Sequence, residues 1–132
     1  MNKNTIISLF IAAVLIIGSI LLVGQKNSST TNNNPTNSNV SIENDIQIIE
    51  ITTRGGYSPQ YTLAKANIPT IIRMKTSGTF SCASSLVIPK IDYRSNLPPT
   101  GTVDIPIEPQ KVGSEITGLC AMGMYNFSIK FN

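Results

Sequence analysis

The sequence predicts an all-β domain, an antiparallel sandwich of about seven short strands that occupies residues 43–132. Short runs rich in β-branched residues alternate there with Gly, Pro, Asn and Ser, the texture typical of a β-sandwich. Nowhere in this region do apolar residues recur at helical spacing. About ninety residues are enough for such a core, although a small one.

The last strand is the clearest. Between 125 and 131, apolar residues alternate with Asn126, Ser128 and Lys130, as in a strand with one buried face. Six further strands are expected: one containing Ile46, Ile48 and Ile51, then 57–63, 70–76, 80–88, 103–107 and 114–120. Pro59 lies within the second of these, which indicates an edge strand or a strand start because proline cannot donate to a ladder.

Residues 5–24 form an uncharged apolar run that is long enough to cross a hydrocarbon core as a helix. The run lacks an Ala-x-Ala cleavage pattern and a following cysteine for lipid, which favours a retained transmembrane anchor over the alternative, a cleaved signal peptide. Lys3 and Lys26 flank it, and the weak positive-inside bias places residues 1–4 in the cytoplasm. We therefore expect a single-pass cell-membrane protein whose partner is the lipid bilayer and whose C-terminal domain is extracytoplasmic.

Residues 25–42 consist mostly of Asn, Ser and Thr. Such a segment has too little apolar surface to offset its ordering entropy. It predicts a disordered linker that lets the domain stand off the bilayer.

Composition excludes several function classes. The formal charge of +3 arises from 10 basic and 7 acidic residues, and without Lys3 and Lys26 the domain holds 8 basic against 7 acidic residues. No basic patch indicates a nucleic-acid partner. Histidine is absent, which removes the commonest general base and the Ser-His and Cys-His nucleophile pairs. We therefore do not expect an enzyme.

The chain has two cysteines, Cys82 and Cys120. In an exported domain such a pair first indicates a disulfide, which here would close a loop of about forty residues and stabilise the fold by roughly 3–4 kcal/mol. Redox catalysis is a weaker interpretation, because the spacing is not Cys-x-x-Cys and no cation adjoins either thiol.

The segment around Cys120 favours a metal site instead. Met122 and Met124 follow that cysteine at alternate positions, so that three sulfur atoms can face one side of an extended or looped chain. Thiolate and thioether donors are soft and select Cu(I), and Cys82 would complete a site of three or four sulfurs. The competing interpretation is that both methionines fill gaps in the core.

Three segments also resemble cupredoxins. Residues 78–91 resemble the strand that carries the first ligand, and 118–125 resemble the ligand loop before the last strand. Residues 56–69 resemble the start of the fold, where an edge strand precedes a turn. The chain is most similar to cupredoxin-like domains whose loop has Cys-x-Met-Gly-Met in place of a histidine loop. This resemblance implies a Greek-key β-sandwich.

The resemblance also implies a copper cofactor, with Cys82 and Cys120 as thiolate ligands and Met124, or alternatively Met122, as the thioether ligand. In bacteria such domains often accompany membrane metal-transport modules. The implied partner is therefore a membrane metal transporter or another copper-accepting protein.

The sequence departs from the cupredoxin pattern at the ligands. Ser84 occupies the position of the first histidine ligand, and Cys82 lies two residues earlier, on the same face if the segment is a strand. A blue-copper centre needs two imidazoles and a dinuclear centre needs a second loop cysteine, so neither is expected. The expected function is Cu(I) handling or transfer. The alternative is a metal-free, disulfide-stapled sandwich that serves as a binding or assembly module of a membrane complex.

Overall fold

The computed structural model describes residues 39–132. The predicted N-terminal segment, the anchor and nearly all of the linker lie outside that range. Within residues 39–132 no helix is long and apolar enough to cross a bilayer. The first strand begins at Val40, three residues before the predicted domain start at 43, because Val40 pairs with Ile49 on the neighbouring strand.

The described residues form strands and two single-turn 3-10 helices. The strands are β1 (Val40–Glu43), β2 (Ile46–Thr53), β3 (Tyr57–Ser58), β4 (Tyr61–Ala64), β5 (Thr70–Thr76), β6 (Ser85–Ile88), β7 (Tyr93–Asn96), β8 (Gly101–Ile107), β9 (Glu115–Cys120) and β10 (Asn126–Phe131). The 3-10 helices are Cys82–Ser84 and Pro89–Ile91. The predicted all-β class is confirmed, with ten strands rather than about seven.

The strands form two sheets. The first has the order β1-β2-β5-β8, with β3 also paired to β2, and the second has the order β4-β10-β9-β6-β7. The expectation of purely antiparallel sheets is wrong, because β2 pairs with β5 and β10 pairs with β4 in parallel. Between β2 and β5 the chain crosses to the second sheet as β4, and such a crossover lets β5 run in the same direction as β2.

Two predicted strands are interrupted. Residues 57–63 divide into β3 and β4, which belong to different sheets, at the cis bond between Ser58 and Pro59. The prediction of a strand over 80–88 is wrong for its first half, because Cys82–Ser84 forms a 3-10 turn. There the Ser81 hydroxyl accepts a hydrogen bond from the Ala83 amide, and short hydroxyl side chains of this kind draw the backbone out of extended structure.

The core lies between the sheets and contains the buried faces of the strands. Phe127, Ile129 and Phe131 of β10 are fully buried while Asn126 and Lys130 are exposed, which confirms the predicted alternation. The remaining fully buried apolar side chains are Ile49, Ile51, Ile72, Met74, Ala83, Leu86, Ile88, Ile116 and Cys120. Both cysteine-bearing segments therefore pack against this core.

Candidate functional site

The structure brings Cys82 and Cys120 together. Their Sγ atoms lie 2.8 Å apart, and both residues are free thiols. This separation is longer than the S–S bond of a disulfide, which is about 2.05 Å. Cys82 is the first residue of the 3-10 turn and is half-buried, whereas Cys120 is the last residue of β9 and is fully buried.

Strand pairing explains why the two residues meet. β6 follows the 3-10 turn directly and pairs with the end of β9, where Leu86 is opposite Cys120. The Ala121 amide then donates to the Ser85 carbonyl at 2.8 Å. Because these contacts fix the beginning of β6 against the end of β9, the turn that precedes β6 lies beside Cys120.

The loop after Cys120 is tight and closes on itself. The Cys120 amide donates to the Tyr125 carbonyl at 2.9 Å, and the Gly123 amide donates to the Cys120 carbonyl at 2.8 Å. Gly123 has a φ of +72°, a left-handed conformation that glycine adopts without steric cost. The loop therefore keeps the five residues after Cys120 close to its sulfur atom.

Backbone amides surround the Cys120 sulfur. Burial raises the pKa of Cys120, but the hydrogen bond with Cys82 and the amides of Tyr125, Met124 and Met122 lower it, so the net shift is downward. These donors stabilise the thiolate, which is the metal-binding form of cysteine. The local hydrogen bonds therefore favour the thiolate form of Cys120 more than in a free cysteine.

Cys82 behaves in the opposite way. Its pKa is raised, chiefly by the hydrogen bond with Cys120, then by burial and by the charge on Cys120. The pair therefore releases one proton more readily, and holds the other more tightly, than a lone thiol would. Coordination of a metal ion by both sulfurs would require loss of the remaining thiol proton, because cysteine must be deprotonated to act as a ligand.

Neither loop methionine fills the core. Met122 is 73% exposed and Met124 is 64% exposed, so the interpretation of these two as core residues is wrong. Their backbone amides, rather than their thioethers, are the groups that the structure places against the Cys120 sulfur. Phe80, two residues before Cys82, is also exposed. Both thioethers thus lie at the surface of the loop that holds Cys120.

The Ser84 side chain forms a hydrogen bond within its own turn. Its hydroxyl donates to the Ser81 carbonyl at 2.9 Å. The expectation that Cys82 and Ser84 share one strand face is wrong, because both belong to the 3-10 turn and do not alternate. Among residues 39–132, no three His, Cys, Asp or Glu side chains gather in one place. The donors that the structure offers here are therefore sulfur atoms.

Sequence reasoning missed Tyr57. Its buried hydroxyl donates to the Ala83 carbonyl at 2.9 Å, within the turn that holds Cys82. Burial, and then the charges of Cys120 and Cys82, raise the pKa of this phenol. The two bonded residues are 26 positions apart, and no local pattern in the sequence connects them.

No family model matches the chain, and no curated protein matches it either. Solved structures do match the chain. A copper binding protein, determined in its apo form by NMR in solution, is similar with a TM-score of 0.63 and 24% identity, over 70% of this chain and 94% of that chain. The metal-binding domain of the Streptococcus pneumoniae D39 Cu(I)-exporting P-type ATPase CopA, crystallised with Cu(I), is similar with a TM-score of 0.63 and 24% identity, over 70% and 92% of the respective chains. The chain therefore shares its β fold with these copper-binding domains.

Proposed function

We propose that this protein is a cupredoxin-like carrier that binds Cu(I) outside the cytoplasm and passes it to another protein. Cys82 and Cys120 would supply two thiolates, and Met124, or alternatively Met122, would supply a thioether. The observation that carries the proposal is the 2.8 Å approach of the two free cysteine sulfurs beside the Met122–Met124 loop.

The chemistry of the donors supports copper. Thiolates and thioethers are soft ligands that select Cu(I), while hard cations require oxygen ligands. Backbone amides favour the thiolate form of Cys120, and Cys82 would have to lose its proton to coordinate a cation. The exposed thioethers are free to associate and dissociate, which suits transfer of the ion rather than catalysis.

The comparisons and the N-terminal sequence support the cellular role. Two solved domains of similar fold are copper-binding, and one of them was crystallised with Cu(I). The apolar run at 5–24 and the polar segment at 25–42 would tether the domain to the cell membrane by a flexible linker. The receiving protein would then be a membrane metal transporter or another copper-accepting protein. No enzymatic step belongs to this role.

Titration of the full chain in detergent under reducing conditions tests the proposal. Competition with a Cu(I) chelator should show stoichiometric Cu(I) binding, and Zn²⁺ should bind more weakly. We expect Cys120→Ser and Cys82→Ser to lose tight binding. Ser84→Ala is the control, since the Ser84 hydroxyl is bonded to the Ser81 carbonyl. Unchanged binding in Cys120→Ser would contradict the proposal.

The two methionines can be distinguished in the same assay. Both side chains are exposed, so Met122→Leu and Met124→Leu should leave the thermal midpoint unchanged. We expect Met124→Leu to weaken Cu(I) binding more than Met122→Leu. Because either methionine can replace the other, equal affinity in the wild type and in a variant with both substitutions would exclude thioether ligands and leave a site of two thiolates.

The sulfur separation also supports a second candidate function. A shift of less than about 1 Å would bring the two Sγ atoms from 2.8 Å to the length of a disulfide. The domain would then be a metal-free, disulfide-stapled module for binding or assembly in a membrane complex. Mass measurement with and without reductant distinguishes the candidates, because a quantitative disulfide that persists when copper is supplied would favour this module.

A further inference from the structure

Tyr57 connects the two segments that carry the cysteines. Its hydroxyl donates to the Ala83 carbonyl at 2.9 Å, and both residues are buried, so water does not compete for this bond. Ala83 directly follows Cys82 in the 3-10 turn. The position of the turn is therefore linked to β3, which belongs to the opposite sheet.

The aromatic ring of Tyr57 contacts the other segment. It packs edge-on against Phe127 of β10, with ring centroids 5.3 Å apart and an interplanar angle of 80°. Phe127 pairs with Gly118 of β9, and its ring occupies the space that a side chain at Gly118 would fill. Gly118 lies two residues before Cys120 on the same strand. Through its ring, Tyr57 thus contacts the strand pair that fixes Cys120.

We infer that Tyr57 is a positioning residue of the sulfur pair: its ring rests on the strands that fix Cys120, and its hydroxyl holds the Cys82 turn beside Cys120. The inference deepens the proposed Cu(I) function and rests on it. Tyr57 touches no metal in this role, and it acts through the Ala83 carbonyl.

Loss of the hydroxyl would loosen one cysteine without removing a ligand. In Tyr57→Phe the ring can keep its contact with Phe127, but the Ala83 carbonyl loses its donor. Cys82 would then spend less time beside Cys120. Groups that orient metal ligands typically contribute roughly 10- to 100-fold to metal affinity, so we expect Cu(I) affinity to fall about tenfold.

If Cys82 is held less closely to Cys120, formation of a disulfide between the two cysteines must also become less favourable, and this reaction involves no metal. In glutathione buffer the two cysteine thiols are oxidised to one disulfide while glutathione disulfide is reduced to two thiols, and both protons remain in the products. The equilibrium constant of this exchange measures how often Cys82 and Cys120 lie within bonding distance. We expect it to fall by about the same factor as the Cu(I) affinity in Tyr57→Phe.

The experiment compares the full wild-type chain in detergent with Tyr57→Phe and with Tyr61→Phe, which removes the same hydroxyl from an exposed tyrosine on β4. Cu(I) affinity is measured by chelator competition and the glutathione exchange constant by alkylation and mass, both below the unfolding transition. The thermal midpoint is measured in a separate thermal scan. We expect the Cu(I) affinity and the glutathione exchange constant to fall in Tyr57→Phe, and we expect neither of them to change in Tyr61→Phe.

A lower thermal midpoint with an unchanged exchange constant would overturn the inference, since Tyr57 would then support the fold alone. An unchanged exchange constant with lower Cu(I) affinity would overturn it as well. If the wild type binds no Cu(I), the proposed function fails, and the exchange constant by itself decides whether Tyr57 positions the cysteines.

Discussion

The segments that hold Cys82 and Cys120 differ in how firmly they are fixed. Cys120 ends a regular strand, is fully buried and receives backbone hydrogen bonds at its sulfur. Cys82 begins a three-residue turn, is half-buried and is fixed through the neighbours Ser81 and Ala83. The Cys120 side of the pair is therefore held more firmly than the Cys82 side. We therefore expect rearrangement of the sulfur pair to involve mainly the Cys82 side.

The largest expected effect is a loss of stability around the segment that holds Cys120. Gly118→Ala would place a methyl group inside the ring of Phe127, so this fully buried ring would have to shift beside the strand that carries Cys120. We expect a loss of roughly 1–3 kcal/mol in the free energy of unfolding, measured by denaturant titration, because overpacked cores are destabilised by about this amount. Thr117→Ala, at an exposed position of the same strand, should have a much smaller effect. Equal stability of Gly118→Ala and the wild type would show that the segment holding Cys120 is not tightly packed.

Serine substitution of each cysteine compares directly how much the two segments contribute to stability. Cys120→Ser buries a hydroxyl in place of a fully buried thiol, and we expect it to lower the free energy of unfolding by about 1–2 kcal/mol. Cys82→Ser, in a half-buried turn, should cost clearly less. Denaturation of both variants in reductant without metal is the measurement. Equal losses would contradict the asymmetry between the two segments.

The two thiols should also differ in their response to pH. The pKa of Cys82 is raised, chiefly by its hydrogen bond with Cys120, so its neutral form stabilises the fold below its unfolded pKa, and this contribution is lost as the pH rises through the folded pKa. The pKa of Cys120 is lowered, so its contribution is present above the unfolded pKa and is lost as the pH falls through the folded pKa.

Alkylation tests this difference, because the thiolate is the reactive form. In the wild type, iodoacetamide should modify the accessible Cys82 only at a pH above the usual range of a thiol. In Cys120→Ser the neighbouring thiolate charge that raises this pKa is gone, and the rate profile should move to lower pH. The same profile in both proteins would show that Cys120 does not control Cys82.

The smallest expected effect concerns the cap of the turn. Ser81→Ala removes the hydroxyl that accepts from the Ala83 amide at 3.3 Å, a long hydrogen bond. We expect Cu(I) affinity to fall less than in Tyr57→Phe, by roughly twofold, since the Tyr57 bond is shorter and buried. Chelator competition on both variants gives the order. A larger loss in Ser81→Ala would make the cap, rather than Tyr57, the main restraint on the turn.

The sequence predicts those elements that have one buried face. The alternation around Phe127 and Ile129 identifies β10, because side chains on a half-buried strand repeat every two residues. β7 escaped prediction because its residues are mostly polar and it lies at the edge of its sheet. The turn at Cys82 escaped because serine hydroxyls, rather than apolar spacing, shape it.

The candidate site was predictable in composition and not in geometry. Two cysteines and a Met-Gly-Met loop indicate a soft-metal site from residue types alone. The approach of Cys82 to Cys120 depends on the pairing of β6 with β9, and the link from Tyr57 to Ala83 joins different sheets. Such contacts arise from topology, which single-sequence periodicity does not contain.

The surface position of Met122 and Met124 makes them vulnerable to oxidants. Peroxide converts an exposed methionine to its sulfoxide, a polar group that no longer offers a soft thioether, while Met74 is shielded in the core. The loop would therefore lose donors under oxidative stress although the fold around it stays intact. Methionine sulfoxide reductases reverse this lesion, so such damage to the loop is repairable.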